Sequence, residues 1–479
     1  MLLRKLKNLI YIILFMLSST YANDSQLVDY TYNIDSNLTY IPSLNSNLSL
    51  ILNSYIDKIF FKVDLTKAQH QYHFESILIF VNLYSSKYDK NVSEKFNKFL
   101  YSSFRMIDNA LSENIKQAKK RLNTLQFLYI YSQNMKNNLN NNHFLTKETL
   151  NQYKEEYLYL LNDILLPFWN TYPAWHWAKT FSNMNARLIA KINKEDTSLL
   201  KYHYYTAFID EDGFSCAIAS DLLYINNAFK NDLSLKLHTS KIATLKDIRD
   251  KCTKYIKQKS ILDNNGFHFG IGDWSDSPSY AHAGCNKSIY PTNTCINKTI
   301  EPYISHFHRL PWWIQSIRDS YNTNDSDYKY YIKWLNHFSI HFNKNILIKK
   351  ENIFLLANYI NGENGWYRVG YSSKHKNFGY GPSELSLISG LGGYYTLAEY
   401  NKKTCNYINA SNALFKSENT KYKYFFNEKY ETGYSKFLKE MDIYKNRFNY
   451  YGLLSMMANQ MWCDNRSEYI LNQENVSAK

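Results

Sequence analysis

LTKETLNQYKEEYLYLLNDILLPFW, Leu145–Trp169, is the stretch on which the fold class turns. Leu150, Tyr153, Tyr157, Leu160, Leu161, Ile164 and Leu165 recur at the spacing of one helix face, and Thr146 stands where an N-cap is needed. Pro167 predicts the stop, since it has no amide hydrogen to donate. The same stripe runs through HQYHFESILIFVNLYSS, 70–86, and SEKFNKFLYSSFRMIDNALSENIKQAKKRL, 93–122. Residues 23–212 contain no glycine, which fits helical hairpins joined by polar connections.

Beyond residue 200 the texture changes. All 15 glycines lie between Gly213 and Gly452. Three stretches read as glycine- and aromatic-rich loops between helices: DEDGFSCAIASD, 210–221; NNGFHFGIGDWSDSPSYAHAG, 264–284; and NGENGWYRVGYSSKHKNFGYGPSE, 361–384. HRLPWWIQSIRDSY before the third and LSLISGLGGYYTLAEYN after it look helical. No strand-rich region and no short exact repeat is evident. The expectation is an all-α chain, an α/α toroid whose paired helices ring a cleft with long loops at one end. An irregular multi-helix domain is the alternative.

The first 22 residues have the layout of a secretory signal peptide: Arg4, Lys5 and Lys7, then an apolar core from Leu9 to Leu17, then small residues at Thr20 and Ala22. A retained anchor is the other reading. Removal leaves 479 − 22 = 457 residues, read as a single large helical domain over 23–479, and lowers the formal charge from +14 to +11. A basic surface suits an acidic polysaccharide or oligosaccharide. Enrichment in Lys, Asn, Ile and Tyr is explained as well by compositional drift. No long run of like charges marks a nucleic-acid arm, and no later segment is apolar enough to be a membrane span, so neither partner is expected. The chain is expected to be exported, periplasmic or extracellular, and monomeric, with no cofactor. Six cysteines in an exported chain imply disulfides. Order along the chain suggests Cys216–Cys252, Cys285–Cys295 and Cys405–Cys463 among fifteen connectivities.

Four constellations carry possible chemistry. Trp169, Asn170, Trp175 and His176 could form a stacking platform for sugar rings with an amide aimed at a carboxylate, or could plug a helix pair. Asp273, Trp274, Asp276, Tyr280 and His282 place carboxylate, phenol and imidazole in one glycine-rich loop, where Tyr and His suit proton transfer. Asp273 against Trp274 could instead be a general acid, and an ordered structural loop explains the stretch too. His306 and His308 would share one face of a strand, but lack further metal ligands, so no metal is expected. Arg309 suits a bidentate carboxylate contact. Glu363, Trp366, Arg368, His375 and Glu384 complete the set, although asparagine–glycine turns explain much of that stretch. There is no GxSxG elbow, phosphate loop, dinucleotide fingerprint or HExxH helix.

Trp169-Asn170 with Trp175, then Asn265-Gly266-Phe267 leading to Tyr280 and His282, then Gly362-Glu363-Asn364-Gly365-Trp366-Tyr367, resemble the α/α-toroid polysaccharide lyases of chondroitin and hyaluronan, alginate or heparinase type. The resemblance covers about an eighth of the chain. It implies that Asn170 neutralises a uronate carboxyl, that Tyr280 and His282 move the C5 proton, and that Arg309 and Glu363 assist. Trp169, Trp175, His176, Trp274, Trp366 and Arg368 would bind substrate. The run Gly272-Asp273-Trp274 also resembles inverting α/α-barrel glycosidases, with Asp273 as acid and Glu363 or Glu384 as base. A non-catalytic exported protein that binds glycan or protein is the third reading.

Overall fold

The structure, a computed structural model, describes residues 48–53, 68–141, 145–176, 179–194, 201–263, 266–350, 353–371, 378–386, 392–416 and 453–463. The expected signal peptide and His375 lie outside them. The described part is predominantly helical, as the sequence predicts. Its buried apolar residues form one cluster running from Ile51 to Ala458.

The first helices follow one another with single-residue breaks: α1 (Ala68–Tyr88), α2 (Lys90–Lys116) and α3 (Ala118–Asn141). The Asp89 side chain accepts the Val92 amide and starts α2. The long stripe that ran unbroken to Leu122 is interrupted at Gln117, whose backbone is extended. Arg121 fills the corner, donating to the Ile115 and Pro173 carbonyls at 2.8 and 2.9 Å.

Thr146 is the N-cap of α4 (Lys147–Tyr159), accepting the Thr149 amide at 3.1 Å. Pro167 does not end the helix there. A π-helical turn over Leu160–Leu165 widens the coil, and α5 (Leu166–Asn170) continues with the proline in its first turn. A first-turn position needs no amide hydrogen, so the ring is tolerated.

The central helix is α7 (Asp210–Phe229), packed by α3, α8 (Thr239–Lys259) and α10 (Leu310–Asp319). It follows α6 (Met184–Asn193). The stretch DEDGFSCAIASD, expected as a loop, is its first three turns. Asp210, Glu211 and Asp212 complement the positive end of the helix dipole, and the Ile209 amide donates to Asp212 Oδ2 at 3.1 Å. Gly213 is there for packing: a Cβ would lie 2.3 Å from the Trp313 ring. Small residues then let a helix with 15 of its 20 residues buried approach its neighbours on all sides.

Three two-stranded antiparallel hairpins decorate the helices: β1 (Ala174–His176) with β2 (Lys179–Phe181), β3 (Ser260–Asp263) with β4 (Gly266–Phe269), and β5 (Leu347–Lys350) with β6 (Ile353–Leu356). Between the last two lie α9 (Ile304–Phe307), α10 and α11 (Ser326–His341). The stretch expected as a helix near residue 400 is a 3₁₀ helix over Gly393–Glu399 in its described part, ahead of α12 (Thr404–Lys416). All three disulfides pair in chain order. Cys216–Cys252 joins α7 to α8, Cys285–Cys295 closes a surface loop, and Cys405–Cys463 ties α12 to the last described residues. Among the described residues no helix is long and apolar enough to cross a membrane.

Candidate functional site

Four segments meet at the N-terminal end of α7. Two ion-pair sets fix that end. On one side, Arg187 and Lys191 of α6 hold its acids: Arg187 Nη1 lies 2.7 Å from Glu211 Oε2, Arg187 Nη2 lies 2.9 Å from Asp212 Oδ1, and Lys191 Nζ lies 2.7 Å from Asp212 Oδ2. On the other side Asp210 meets a second group. His306 Nδ1 is 2.7 Å from Asp210 Oδ2, and Arg309 Nη1 is 4.0 Å from the same oxygen.

Around this pair stands a cluster of tyrosines. Tyr303 stacks on Tyr367 at 4.2 Å between ring centres and lies 5.0 Å from the His306 ring. Tyr280 packs edge-on to Tyr367 at 5.3 Å, with Trp274 stacked on its other side at 5.2 Å. The Tyr280 hydroxyl accepts the Tyr303 amide at 3.2 Å, which ties the Gly266–Gly284 stretch to the segment leading into α9. Arg368 lies over the Tyr367 and Tyr371 rings at 5.1 and 4.6 Å, and its amide donates to the Ser279 carbonyl at 2.9 Å. Its φ of +52° is in the left-handed region, unusual for a residue with a Cβ. Gly365 allows the turn to press in this far, since a Cβ would lie 1.7 Å from the Ala283 carbonyl oxygen. Asn358 anchors the turn by donating to the Gly365 and Gly381 carbonyls, both at 2.8 Å.

Burial and charge set the protonation states. Burial raises the Tyr280, Tyr303 and Tyr359 hydroxyls well above the ordinary tyrosine value and raises Tyr367 less, because Arg368 pulls it back. These phenols stay protonated at neutral pH. Burial lowers His306, against the opposing pull of Asp210, so it is neutral. Burial would raise Asp210, but the hydrogen bond donated by His306 and the charge of Arg309 hold the carboxyl below its ordinary value. Burial works against the charge on Arg368, but a guanidinium keeps its proton at neutral pH.

The expected site residues divide. Tyr280, Trp274, Arg309 and Arg368 are brought together here. His282 is not: its ring turns to the Asn293 carbonyl at 3.0 Å, inside the disulfide-closed loop. Asp273 is 2.7 Å from Lys259 Nζ, with burial raising the carboxyl and lowering the amine. Asp276 accepts the His203 and Tyr204 amides and serves as a cap. Asn170 is exposed at the end of α5, where its carbonyl accepts from Asn183. Trp169 and Trp366 are fully buried, the latter donating to the Lys287 carbonyl at 2.7 Å, whereas Trp175 is 40% exposed on β1. His176 ends β1. Glu363 is exposed in its turn, and Glu384 accepts the Gly381 amide at 2.6 Å. His306 and His308 sit on a helical turn, not a strand, and so diverge: His306 goes to Asp210, and His308 is buried against Trp312. Among the described residues no cluster of three or more His, Cys, Asp or Glu could hold a metal.

Asp210, Tyr303, Tyr367 and the role of His306 were not legible as site features. The usable signal was the spacing of His306 and Arg309, three residues apart and so on the same side of a helical turn. No protein-family model matches the chain, and no curated protein or solved structure is similar to it.

Proposed function

We propose that the chain is an exported polysaccharide lyase that cleaves uronic-acid-containing glycans by β-elimination, with its site loops at one end of an α/α toroid. The observation that carries this reading is the gathering of Tyr280, Tyr303 and Tyr367 with His306, Arg309 and Arg368 around Asp210. Elimination at a uronate needs a cation to make the C5 proton acidic, a base to take it, and an acid for the leaving oxygen. Two arginines and one aspartate leave a net charge of +1, which suits one carboxylate. Neutral imidazole and protonated phenol supply base and acid.

An inverting glycosidase would need two carboxylates facing each other across roughly 6.5–9.5 Å. Asp273 is engaged with Lys259 and Glu384 with a backbone amide, while Glu363 is exposed. That leaves Asp210 as the cluster's carboxylate. Three disulfides fit an exported protein.

The test is ultraviolet absorbance of the unsaturated uronate, using purified protein on a panel of uronic-acid polysaccharides. Activity is expected, with Tyr280→Phe lowering the rate on the order of 10²- to 10⁴-fold while circular dichroism stays unchanged. No absorbance change on any acidic glycan, with reducing ends still accumulating, would replace the lyase by a hydrolase. Silence in both assays would leave a binding protein.

A further inference from the structure

We infer that Asp210 and His306 form a proton-transfer dyad, in which His306 takes the C5 proton and Asp210 positions it. The inference rests on the lyase reading and adds to it a base that lies outside the Gly266–Gly284 stretch and a residue that orients it.

His306 meets Asp210 through Nδ1, at 2.7 Å. A carboxylate accepts, so Nδ1 carries the hydrogen and Nε2 keeps its lone pair for a substrate proton. Asp210 is an unusually firm partner. It sits in the first turn of a helix with 15 of its 20 residues buried, and the next two residues of that turn are clamped by Arg187 and Lys191 from the opposite side. The imidazole is therefore held by a group that has little freedom to move. An exposed carboxylate on a loop would fix neither the ring plane nor the tautomer.

The groups facing His306 come from three elements: Asp210 from α7, Tyr303, His308 and Arg309 from its own segment, and Arg368 from the turn. Burial and the two arginines favour the neutral ring, and Asp210 opposes them. The step balances without a co-reactant. His306 Nε2 takes the C5 hydrogen as a proton, and the C5–H electron pair becomes the C4=C5 double bond. The C4–O4 bond breaks with its pair on oxygen, which takes a proton from the Tyr280 hydroxyl. Solvent then returns the imidazolium proton to the phenolate, and no water is consumed.

Three variants of the full chain decide it, assayed on whichever uronic-acid polysaccharide the wild type cleaves. Asp210→Asn is expected to lower kcat on the order of 10²- to 10⁴-fold with KM nearly unchanged, and to move the acid limb of the pH profile. His306→Ala should fall as far and recover with added imidazole, a rescue that a purely structural role would not give. Asp210→Glu should keep part of the rate if a carboxylate at this place is what matters. Nitrogen-15 histidine spectra of the wild type should show His306 protonated on Nδ1. Activity within roughly tenfold of wild type in Asp210→Asn, no imidazole rescue, or the other tautomer would overturn the dyad while leaving the lyase standing. A wild type silent on every glycan would overturn both.

Discussion

Two of the places where the molecule buries polar side chains do so in opposite ways. Where Asn82 of α1, Ser93 of α2 and Asn134 and Asn138 of α3 meet, the buried polar groups are neutral and ride on regular helices. Asn82 and Asn138 both donate to Asn134 Oδ1, at 2.7 and 2.9 Å, and Ser93 donates to Asn138 at 2.8 Å. Each bond joins uncharged partners whose positions come from helix register. At the N-terminal end of α7 the groups come instead from four separate segments, carry opposite charges, and include a residue with strained φ. Amides on straight helices specify how helices pair. Charges and phenols held by loops against one another are costly to assemble by packing alone, and strain of this kind concentrates at functional sites.

The contrast predicts a double dissociation. On the proposed lyase reading, Arg368→Ala should lower the elimination rate on the order of 10²- to 10³-fold, the effect of losing one preorganised donor to developing charge. Its urea midpoint should move little. Asn134→Leu should do the reverse, because it takes the side-chain acceptor from the buried Asn82 amide, while Asn138 still donates to the residue 134 carbonyl. The loss is about 1–3 kcal/mol for the stranded donor, with unchanged activity per folded molecule. If Asn134→Leu lowered activity and stability together, the two regions would be one cooperative unit and the contrast would fail.

Glu156 sharpens the same comparison by pH. It is buried in α4 beside the amide network, and burial pushes its carboxyl up to about 8. The folded value lies above the unfolded one, so the neutral acid stabilises the fold fully below the ordinary glutamate range. That contribution is lost progressively as pH rises toward 8. Glu156→Gln removes the titration. Its urea midpoint should match the wild type near pH 4 and exceed it increasingly up to about pH 8, after which the gap is constant. A gap that shrinks with rising pH would mean the carboxylate is paired and charged in the fold.

Much of the helical region was legible because its rules are local. Thr146 announced its helix, and the period of Leu150 to Leu165 gave the buried face. Pro167 misled because a π turn upstream changes what a proline meets, and this depends on packing around Leu160–Leu165, not on the proline itself. Gln117 broke a continuous stripe without a glycine or proline to mark it. At the site, Tyr280 was legible because it stands in a glycine-rich loop. His282 looked like its partner through nearness in sequence, but the Cys285–Cys295 closure turns it toward Asn293. His306 looked like half of a strand pair, and its true partner Asp210 was hidden in a segment read as a loop. Contacts between distant segments leave no periodicity, so the chemistry of this cluster could be read only after α7 had been placed.

The smallest expected effect separates backbone from side chain at Arg368. Its φ of +52° strains any residue with a Cβ, whereas glycine enters that region freely. Arg368→Gly and Arg368→Ala both lose the guanidinium and its packing on Tyr367 and Tyr371, so both should be equally impaired in catalysis. They differ in strain and in the greater freedom of glycine in the unfolded chain, and with relief of strain the larger of the two, the glycine variant should be the more stable by about 1 kcal/mol in urea unfolding. A more stable backbone with no gain in rate is the pairing expected if the surroundings impose the left-handed conformation to aim the side chain. The Gly365 contact with the Ala283 carbonyl and the Arg368 amide bond to Ser279 are the restraints that would impose it. Equal stability of the two variants would mean that the turn relaxes once the guanidinium is gone. In that case the arginine and its tyrosines hold the backbone, and the cluster is built from the side chains inward.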